Sequence, residues 1–272
     1  MQFTNKLLYI QKKNNSLLCI GLDTEIEKLP QSIKNTKEPL FTFNKAIIDA
    51  TFDLVCAYKP NSAFYEASGI DGIKQLQMTM NYIQDKHPEI PIILDAKRGD
   101  IGNTAKMYAK MAFEYFKADA LTINPYLGID SLESYLTYQD KFIFVLVKTS
   151  NPGAKDFQDY IVDKEKLYQK IAGKLKSLNN DSQIGIVVGA TYPQELKDLR
   201  KLLPQTIFLI PGLGAQGGEV EKTVKFGINK KGTGIVINAS RAILYASDKA
   251  DFGQKATDVA RKFRELINTY RR

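Results

Sequence analysis

The sequence is poor in the side chains that most often carry nucleophilic and metal-dependent chemistry. It holds one histidine, His87, and two cysteines, Cys19 and Cys56, in 272 residues. A single histidine that precedes a proline at an apparent helix end nearly excludes a histidine-based triad and a multi-histidine metal site. The cysteines lie inside apolar runs without Cys-x-x-Cys or metal-type spacing. We therefore expect buried, reduced thiols, as in a cytoplasmic protein.

Long apolar runs are absent as well. No stretch approaches the roughly 20 apolar residues that span a bilayer, and no apolar signal segment follows residues 1–6. The sequence predicts a soluble, cytoplasmic protein that does not bind a membrane. Its net charge of +8 fits a lysine-rich surface, or an attraction for an anionic substrate or a nucleic acid. The charge alone does not choose between these interpretations.

Short apolar runs alternate with helix-like segments along the whole chain. The runs, each followed by polar residues, Gly or Pro, cover residues 17–22, 52–58, 92–94, 120–123, 142–147, 184–188, 207–210 and 234–237. The helix-like segments include residues 45–51, 71–86, 104–116, 164–179, 193–203, 219–226 and 255–270. Near-continuous apolar strands alternating with helices indicate a parallel sheet covered by helices.

Eight such units in one chain of this length are typical of a (β/α)₈ TIM barrel. A doubly wound open sheet is the competing α/β architecture, but the even spacing and the lack of a linker favour a closed barrel. We therefore predict one TIM-barrel domain over residues 1–272.

Polar residues follow the predicted strands at the ends where a barrel builds its active site. They are Asp23, Lys59, Asp95, Lys97, Asp100, Ser150, Gln216 and Arg241. Because the carboxyl ends of barrel strands meet at one mouth, we expect these side chains to converge.

Asp95, Lys97 and Asp100 form the densest charged motif. Residues two apart on a strand point to the same side, so Asp95 and Lys97 can project together. A salt bridge that ties strand to helix is the structural alternative, but Lys59 adds a second ammonium at the same mouth. With no thiol or imidazole available, proton transfer falls to a lysine or a carboxylate. Flanking acids keep a lysine charged, which favours proton donation over Schiff-base chemistry.

Residues 212–218 match the G-x-G-x-x-G pattern, yet a dinucleotide fingerprint belongs to the first βαβ unit. Here the pattern follows the seventh strand, and no acid stands about 20 residues later. In a barrel, the loops after strands seven and eight form the usual phosphate site. Glycine-rich backbone and the Arg241 fork therefore predict a monophosphate substrate, with simple tight turns as the alternative.

The motif Asp95-x-Lys97-x-x-Asp100-Ile101, with Lys59 at the end of strand two, resembles the orotidine 5′-phosphate decarboxylase family. The resemblance extends along the chain through residues 21–23, 150–153 and 211–218 and through Ser240-Arg241. Residues 124–128 are similar to the divergent second subgroup of that family.

The resemblance implies decarboxylation of orotidine 5′-phosphate to UMP, the last step of de novo UMP synthesis, with no cofactor and no metal. Lys97 would protonate C6 of the pyrimidine as CO₂ leaves. Asp95 would crowd the substrate carboxylate, which destabilises the ground state. Lys59 would hold Asp95 and a ribose hydroxyl.

The same resemblance implies a substrate-binding set and a homodimer. Asp23 would bind the ribose, Ser150 and Gln216 the base, and the loop with Pro211, Gly214 and Gln216 would grip the phosphate together with Arg241. Asp100, Ile101 and Thr104 would serve the partner's active site, so the two sites would be shared across the interface. No nucleic-acid partner is implied.

Two other functions stay open. Enzymes such as 3-keto-L-gulonate 6-phosphate decarboxylase and hexulose-phosphate synthase carry a similar acid–lysine–acid signature, but they hold Mg²⁺ with an acid where this chain has Lys59. A non-catalytic barrel that binds RNA would need basic residues clustered on one face with interleaved aromatics, and the lysines here are spread over most helical segments.

Overall fold

Eight parallel β-strands form the centre of the protein. The structure is a computed structural model that describes residues 1–178, 180–212 and 217–271. Neighbouring strands in the sheet are parallel throughout. The strands are β1 (Leu18–Gly21), β2 (Ala57–Lys59), β3 (Ile93–Arg98), β4 (Ala120–Ile123), β5 (Phe142–Lys148), β6 (Ile184–Val188), β7 (Phe208–Ile210) and β8 (Ile235–Ala239).

The sheet closes into a barrel. Strand β1 pairs with β2 on one side and with β8 on the other, and the order continues through β7, β6, β5 and β4 to β3. Two isolated parallel bridges, Tyr58 with Ile92 and Asn61 with Asp95, join β2 to β3. The backbone N–H of Asp95 also donates to the carbonyl of Pro60 at 2.9 Å. The predicted TIM-barrel fold is confirmed.

Helices connect the strands and cover the outside of the barrel. The α-helices are α1 (Phe3–Lys13), α2 (Gln31–Lys34), α3 (Pro39–Thr51), α4 (Ser62–Glu66), α5 (Gly69–Lys86), α6 (Gly102–Lys110), α7 (Glu133–Leu136), α8 (Leu167–Ser177), α9 (Pro193–Leu202), α10 (Gly217–Gly227), α11 (Arg241–Leu244) and α12 (Phe252–Tyr270). Within the described residues, none of these helices is both long and apolar enough to cross a membrane.

Helix α1 lies outside the predicted alternation of strands and helices. Its apolar residues Phe3, Leu7 and Ile10 recur every three or four positions, and all three are buried. Phe3 stacks on Phe142 of β5 with ring centroids 4.6 Å apart, and its N–H donates to the carbonyl of Asp140. The helix therefore covers the amino end of the barrel and leaves the carboxyl end free for the polar residues.

The prediction of the second strand, over residues 52–58, is wrong for its first half. Helix α3 continues to Thr51, and Phe52 is 39% exposed rather than part of a sheet. The side chain of Asn14 donates to the carbonyls of Phe52 and Val55, both at 2.8 Å, and so holds this segment as a turn. Strand β2 begins only at Ala57.

Two predicted helices also differ in extent. The segment predicted as one helix over residues 164–179 starts with a short hairpin, Ile161–Val162 paired with Glu165–Lys166, before α8 begins at Leu167. The last predicted position, 179, lies outside the described residues. The helix after β3 begins two residues earlier than predicted, at Gly102, and continues as a π-helical turn over Met111–Tyr115.

Candidate active site

The carboxylate of Asp95 is the centre of a charged cluster at the carboxyl end of the barrel. Lys59, the last residue of β2, places Nζ 2.7 Å from Asp95 Oδ2. Lys97, two positions along β3, places Nζ 2.8 Å from Oδ1. The hydroxyl of Thr122 on β4 donates to the same Oδ1 at 2.8 Å. Three neighbouring strands therefore supply the two ammonium groups and the hydroxyl that contact this carboxylate.

Burial opposes ionisation of both Asp95 and Lys59, but their mutual attraction is larger. The two residues expose only 7% and 3% of their surface. Burial alone would raise the pKa of the Asp95 carboxyl, yet the charges of Lys59 and Lys97 hold that pKa well below its usual value. Burial would lower the pKa of Lys59, and the attraction of Asp95 and Asp23 raises it instead. At neutral pH, Asp95 is an anion and Lys59 is a cation.

Lys97 is the member of the cluster that is open to solvent. Its side chain is 49% exposed, against 4% for Lys59. Its backbone φ of +46° lies in the left-handed region, which is uncommon for a residue with a Cβ. The pairing of β3 with β4 shifts register between Leu94 and Arg98, so this conformation belongs to a bulge. The Lys97 ammonium therefore contacts Asp95 while it faces the barrel mouth.

The cluster forms the floor of a cavity with two adjoining parts. The larger part, about 640 Å³, includes Asp23 and Arg241. The smaller part, about 330 Å³, includes Lys97, Thr122 and Ser150. Both parts share Lys59, Asp95 and Pro211, so they adjoin each other at the charged cluster. Seven of the predicted site residues thus meet at one mouth: Asp23, Lys59, Asp95, Lys97, Ser150, Pro211 and Arg241.

Arg241 lines the larger part of the cavity, whereas Lys97 lines the smaller part. It is exposed, and no ion pair joins it to a carboxylate of the described part of the chain. Its position depends on a close approach between β1 and the loop after β8, because a Cβ at Gly21 would lie 2.0 Å from Ser240 Oγ. Gly21 therefore lets Ser240 and Arg241 fold over the mouth. A free guanidinium there can bind a phosphate in a bidentate manner.

Ser150 follows β5 and lies against the end of β6. A Cβ added at Gly189 would lie 2.8 Å from Ser150 Cβ, and one at Gly212 would lie 3.5 Å from its Oγ. Both glycines therefore leave room for the serine. The preceding residue, Thr149, is held by Gln158, whose side chain accepts from the Thr149 N–H at 2.9 Å and donates to its hydroxyl at 2.8 Å.

The structure does not bring Asp100, Ile101 and Thr104 into this cluster. Asp100 Oδ1 accepts the N–H of Ile101 at 2.9 Å, and no ion pair joins Asp100 to Lys59 or Lys97. Ile101 is 56% exposed and Thr104 is exposed on the first turn of α6. None of the three residues lines the cavity that contains Asp95 and Lys97.

Two predicted substrate-binding residues, Gly214 and Gln216, lie outside the described residues. On either side of them, Pro211 and Gly212 follow β7, and α10 begins at Gly217. Gly212 has a φ of +84°, a conformation that glycine adopts without strain. The described part of the loop places Pro211 in both parts of the cavity.

Three polar residues join the site without having been predicted: Asn61, Thr122 and Asn238. Asn61 bridges β2 to Asp95, and Asn238 on β8 donates to Ser240 Oγ at 3.1 Å. Their signal in the sequence is a polar side chain at the end of an apolar run, the same signal that indicated Lys59. For Thr122 it is a hydroxyl within the run over residues 120–123.

Comparison with known proteins decides the family. A model described as "Orotidine 5′-phosphate decarboxylase / HUMPS family" matches residues 16–256. The chain belongs to this family. The resemblance carried by Lys59, Asp95, Lys97 and Asp100 is therefore confirmed at the level of the family.

Several proteins named orotidine 5′-phosphate decarboxylase are similar to this chain over its full length. The enzyme of that name from Cupriavidus taiwanensis is 49% identical over 272 residues, which cover 100% of this chain and 99% of that protein. The one from Dechloromonas aromatica is 49% identical over 273 residues and is covered completely. The solved structure of Leishmania donovani OMP decarboxylase matches with a TM-score of 0.85 and 36% identity, covering 100% of this chain and 99% of that one.

Proposed function

We propose that this protein decarboxylates orotidine 5′-phosphate to UMP and CO₂, the last step of de novo UMP synthesis. Such an enzyme is a carboxy-lyase. The observation that carries the proposal is the cavity itself. It holds an exposed lysine paired with a buried carboxylate, and an arginine that no carboxylate of the described residues pairs with. Relatives that are 49% identical along the whole chain and bear this enzyme's name support it.

The two ends of the cavity suit the two ends of this nucleotide. Arg241 binds the phosphate, with Gln216 and the loop that contains Pro211 and Gly214. Asp23 Oδ1 and Asn238 Oδ1 are buried acceptors with no hydrogen-bond partner among the described residues, and both adjoin the larger part of the cavity. Ribose hydroxyls are donors that satisfy such oxygens. The base then extends toward Lys97 and Ser150.

The reaction uses the cluster around Asp95. The Asp95 carboxylate stays ionised and stands beside the C6 carboxylate of the substrate, where like charges repel. The bond between C6 and the carboxyl carbon breaks, CO₂ leaves, and the electron pair remains on C6. Lys97 donates a proton from Nζ to C6, which completes UMP. Lys59 keeps Asp95 in place throughout.

We further propose a homodimer in which Asp100, Ile101 and Thr104 complete the partner's site. This is supported by the exposure of Ile101 and Thr104 and by large exposed apolar side chains in the segments that follow. Met107, Tyr126 and Leu127 are 60%, 85% and 48% exposed. Large exposed apolar side chains that lie together often mark a protein–protein contact.

Lys59 argues against the Mg²⁺-dependent members of the same family. A divalent cation binds to oxygen ligands, and an ammonium 2.7 Å from Asp95 would repel it. The family description alone covers both kinds of enzyme. The buried cation at this position favours the nucleotide decarboxylase.

The test is an ultraviolet assay that follows the loss of orotidine 5′-phosphate, on wild type and on Lys97→Ala, with EDTA present. Wild type is expected to decarboxylate the substrate in EDTA. Lys97→Ala is expected to lose about 1,000-fold of activity, because the other ammonium of the cluster, Lys59, is buried and held by Asp95. Activity that vanishes in EDTA, or that persists in Lys97→Ala, would contradict the proposal. Lys97→Arg is the matched control, because it keeps the positive charge in a group that is a much weaker acid than an ammonium.

A further inference from the structure

We propose that Thr122 is a positioning residue that fixes Lys97 and Asp95 relative to each other for the reaction. The inference rests on the proposed decarboxylation, since it assigns Thr122 a part in proton delivery. It concerns a residue one strand away from the acid–lysine motif, and this residue is only 1% exposed.

The hydroxyl of Thr122 makes two hydrogen bonds whose directions are determined. The backbone N–H of Lys97 can only donate, so Thr122 Oγ1 accepts from it at 2.9 Å. A hydroxyl carries one proton, which leaves it free to donate to Asp95 Oδ1 at 2.8 Å. One side chain therefore binds the backbone of the proton donor and the carboxylate that orients the donor's ammonium.

The bulge in β3 explains why a side chain is needed there. Leu94 pairs with Leu121 and Arg98 with Ile123, so three residues of β3 face Thr122 alone. The regular ladder cannot supply an acceptor for each N–H in such a bulge. The Thr122 hydroxyl takes the place of a backbone carbonyl for Lys97.

The same bulge holds Lys97 at a φ of +46°. A residue with a Cβ keeps a left-handed conformation only where its surroundings stabilise it. The bond from the Lys97 N–H to Thr122 is the contact that does so here. Without it, we expect the Lys97 backbone to relax and the ammonium to leave its place at Asp95 and C6.

The substrate's phosphate end is not touched by this change. Arg241 and Asp23 lie in the other part of the cavity, and Thr122 borders only the smaller part. Loss of the hydroxyl should therefore slow the chemical step and leave substrate binding nearly unchanged. A general loosening of the fold would instead alter kcat, KM and thermal stability together.

Thr122→Val removes the hydroxyl and nearly keeps the shape, and Thr122→Ser keeps the hydroxyl. For Thr122→Val we expect kcat to fall by about 10-fold to 100-fold, as for a buried donor left unpaired, with KM within about 3-fold of wild type. Thr122→Ser should restore most of kcat. Equal losses in both variants, or a loss confined to KM, would overturn the proposal. Thr122→Ala is the second hydroxyl-free variant if valine prevents folding.

Hydrogen exchange at the Lys97 amide gives a readout that does not depend on activity. The amide should be protected in wild type and in Thr122→Ser, and should exchange at least about 10-fold faster in Thr122→Val. Unchanged protection in Thr122→Val would refute the hydrogen bond. If wild type does not decarboxylate orotidine 5′-phosphate, the proposed function is wrong. The exchange experiment still tests whether Thr122 binds the Lys97 backbone, because it does not depend on activity.

Discussion

Removal of the negative charge from Asp95 tests the energetics of the charged cluster. Asp95→Asn keeps the side chain's shape but deprives Lys59, which is 3% exposed, of the carboxylate 2.7 Å away. Asp23 Oδ1, at 3.8 Å, is then the nearest remaining anion. A buried ion that loses its partner costs about 3–5 kcal/mol. We expect about 3 kcal/mol, because Asp23 remains and the asparagine oxygen still accepts a hydrogen bond.

The assay is unfolding in urea and on heating, followed by circular dichroism at pH 7. A loss of about 3 kcal/mol corresponds to a Tm lower by roughly 6–12 °C in a domain of this size. The control is Lys59→Met/Asp95→Asn, which removes both charges and should recover more than half of the loss. A loss below about 1 kcal/mol in Asp95→Asn, or strict additivity in the double variant, would refute the reasoning.

The pH dependence follows from the directions of the two pKa shifts. The folded pKa of Asp95 lies below its unfolded value of about 3.9, so its stabilisation is present above that pH and is lost as pH falls through the folded value. The folded pKa of Lys59 lies above its unfolded value of about 10.4, so its stabilisation is lost only as pH rises through the folded value. The difference between wild type and Asp95→Asn should be constant near neutrality and shrink in acid. A difference that grows in acid would contradict the assigned charges.

Three further results are expected. Arg241→Ala should raise KM by about 10-fold or more in steady-state assays through loss of a bidentate phosphate contact, whereas an unchanged KM would place the phosphate elsewhere. Activity should return when inactive Lys97→Ala and Asp100→Ala chains are mixed, since a heterodimer of the two contains one intact site. No recovery, after subunit exchange has been demonstrated, would exclude a shared site. Gly21→Ala should destabilise the protein to urea by about 1–3 kcal/mol, because its Cβ would lie 2.0 Å from Ser240 Oγ, and unchanged stability would show that the loop yields freely.

The strands in the second half of the barrel could be predicted closely from the sequence. The run predicted over residues 184–188 is strand Ile184–Val188, and the run over 142–147 is strand Phe142–Lys148. Both faces of such strands are covered, one by the barrel interior and one by helices. Their sequences are therefore almost continuously apolar, and each strand ends where its apolar run ends, at Lys148 and just before Gly189.

The same signal fails where an apolar run crosses from a helix into a turn. Residues 52–56 are as apolar as a strand, yet they follow α3 and are held by Asn14. The contact that decides their conformation comes from a residue 38 positions away in the chain. The composition of residues 52–56 therefore does not reveal this contact.

In the candidate site, too, some residues could be predicted from their local sequence, while others depend on contacts with distant residues. Lys59, Asp95 and Lys97 could be predicted because each stands where an apolar run ends, and the barrel then brings those ends together. Thr122 could not, because its importance depends on which residues of β3 face it across the bulge. A hydroxyl inside an apolar run is otherwise compatible with an ordinary buried threonine.

Asp100 shows how nearness in sequence misleads. It stands only three positions after Lys97, so the motif suggests one local acid–lysine–acid triad. Two residues with positive φ, Lys97 at +46° and Gly102 at +52°, turn the chain between the strand and α6. The Lys97 side chain contacts Asp95, whereas Asp100 is half-buried and accepts the N–H of the exposed Ile101. The left-handed backbone at Lys97 therefore places the two acids of the motif in different surroundings. This separation is consistent with the proposal that Asp100 completes the site of a partner chain.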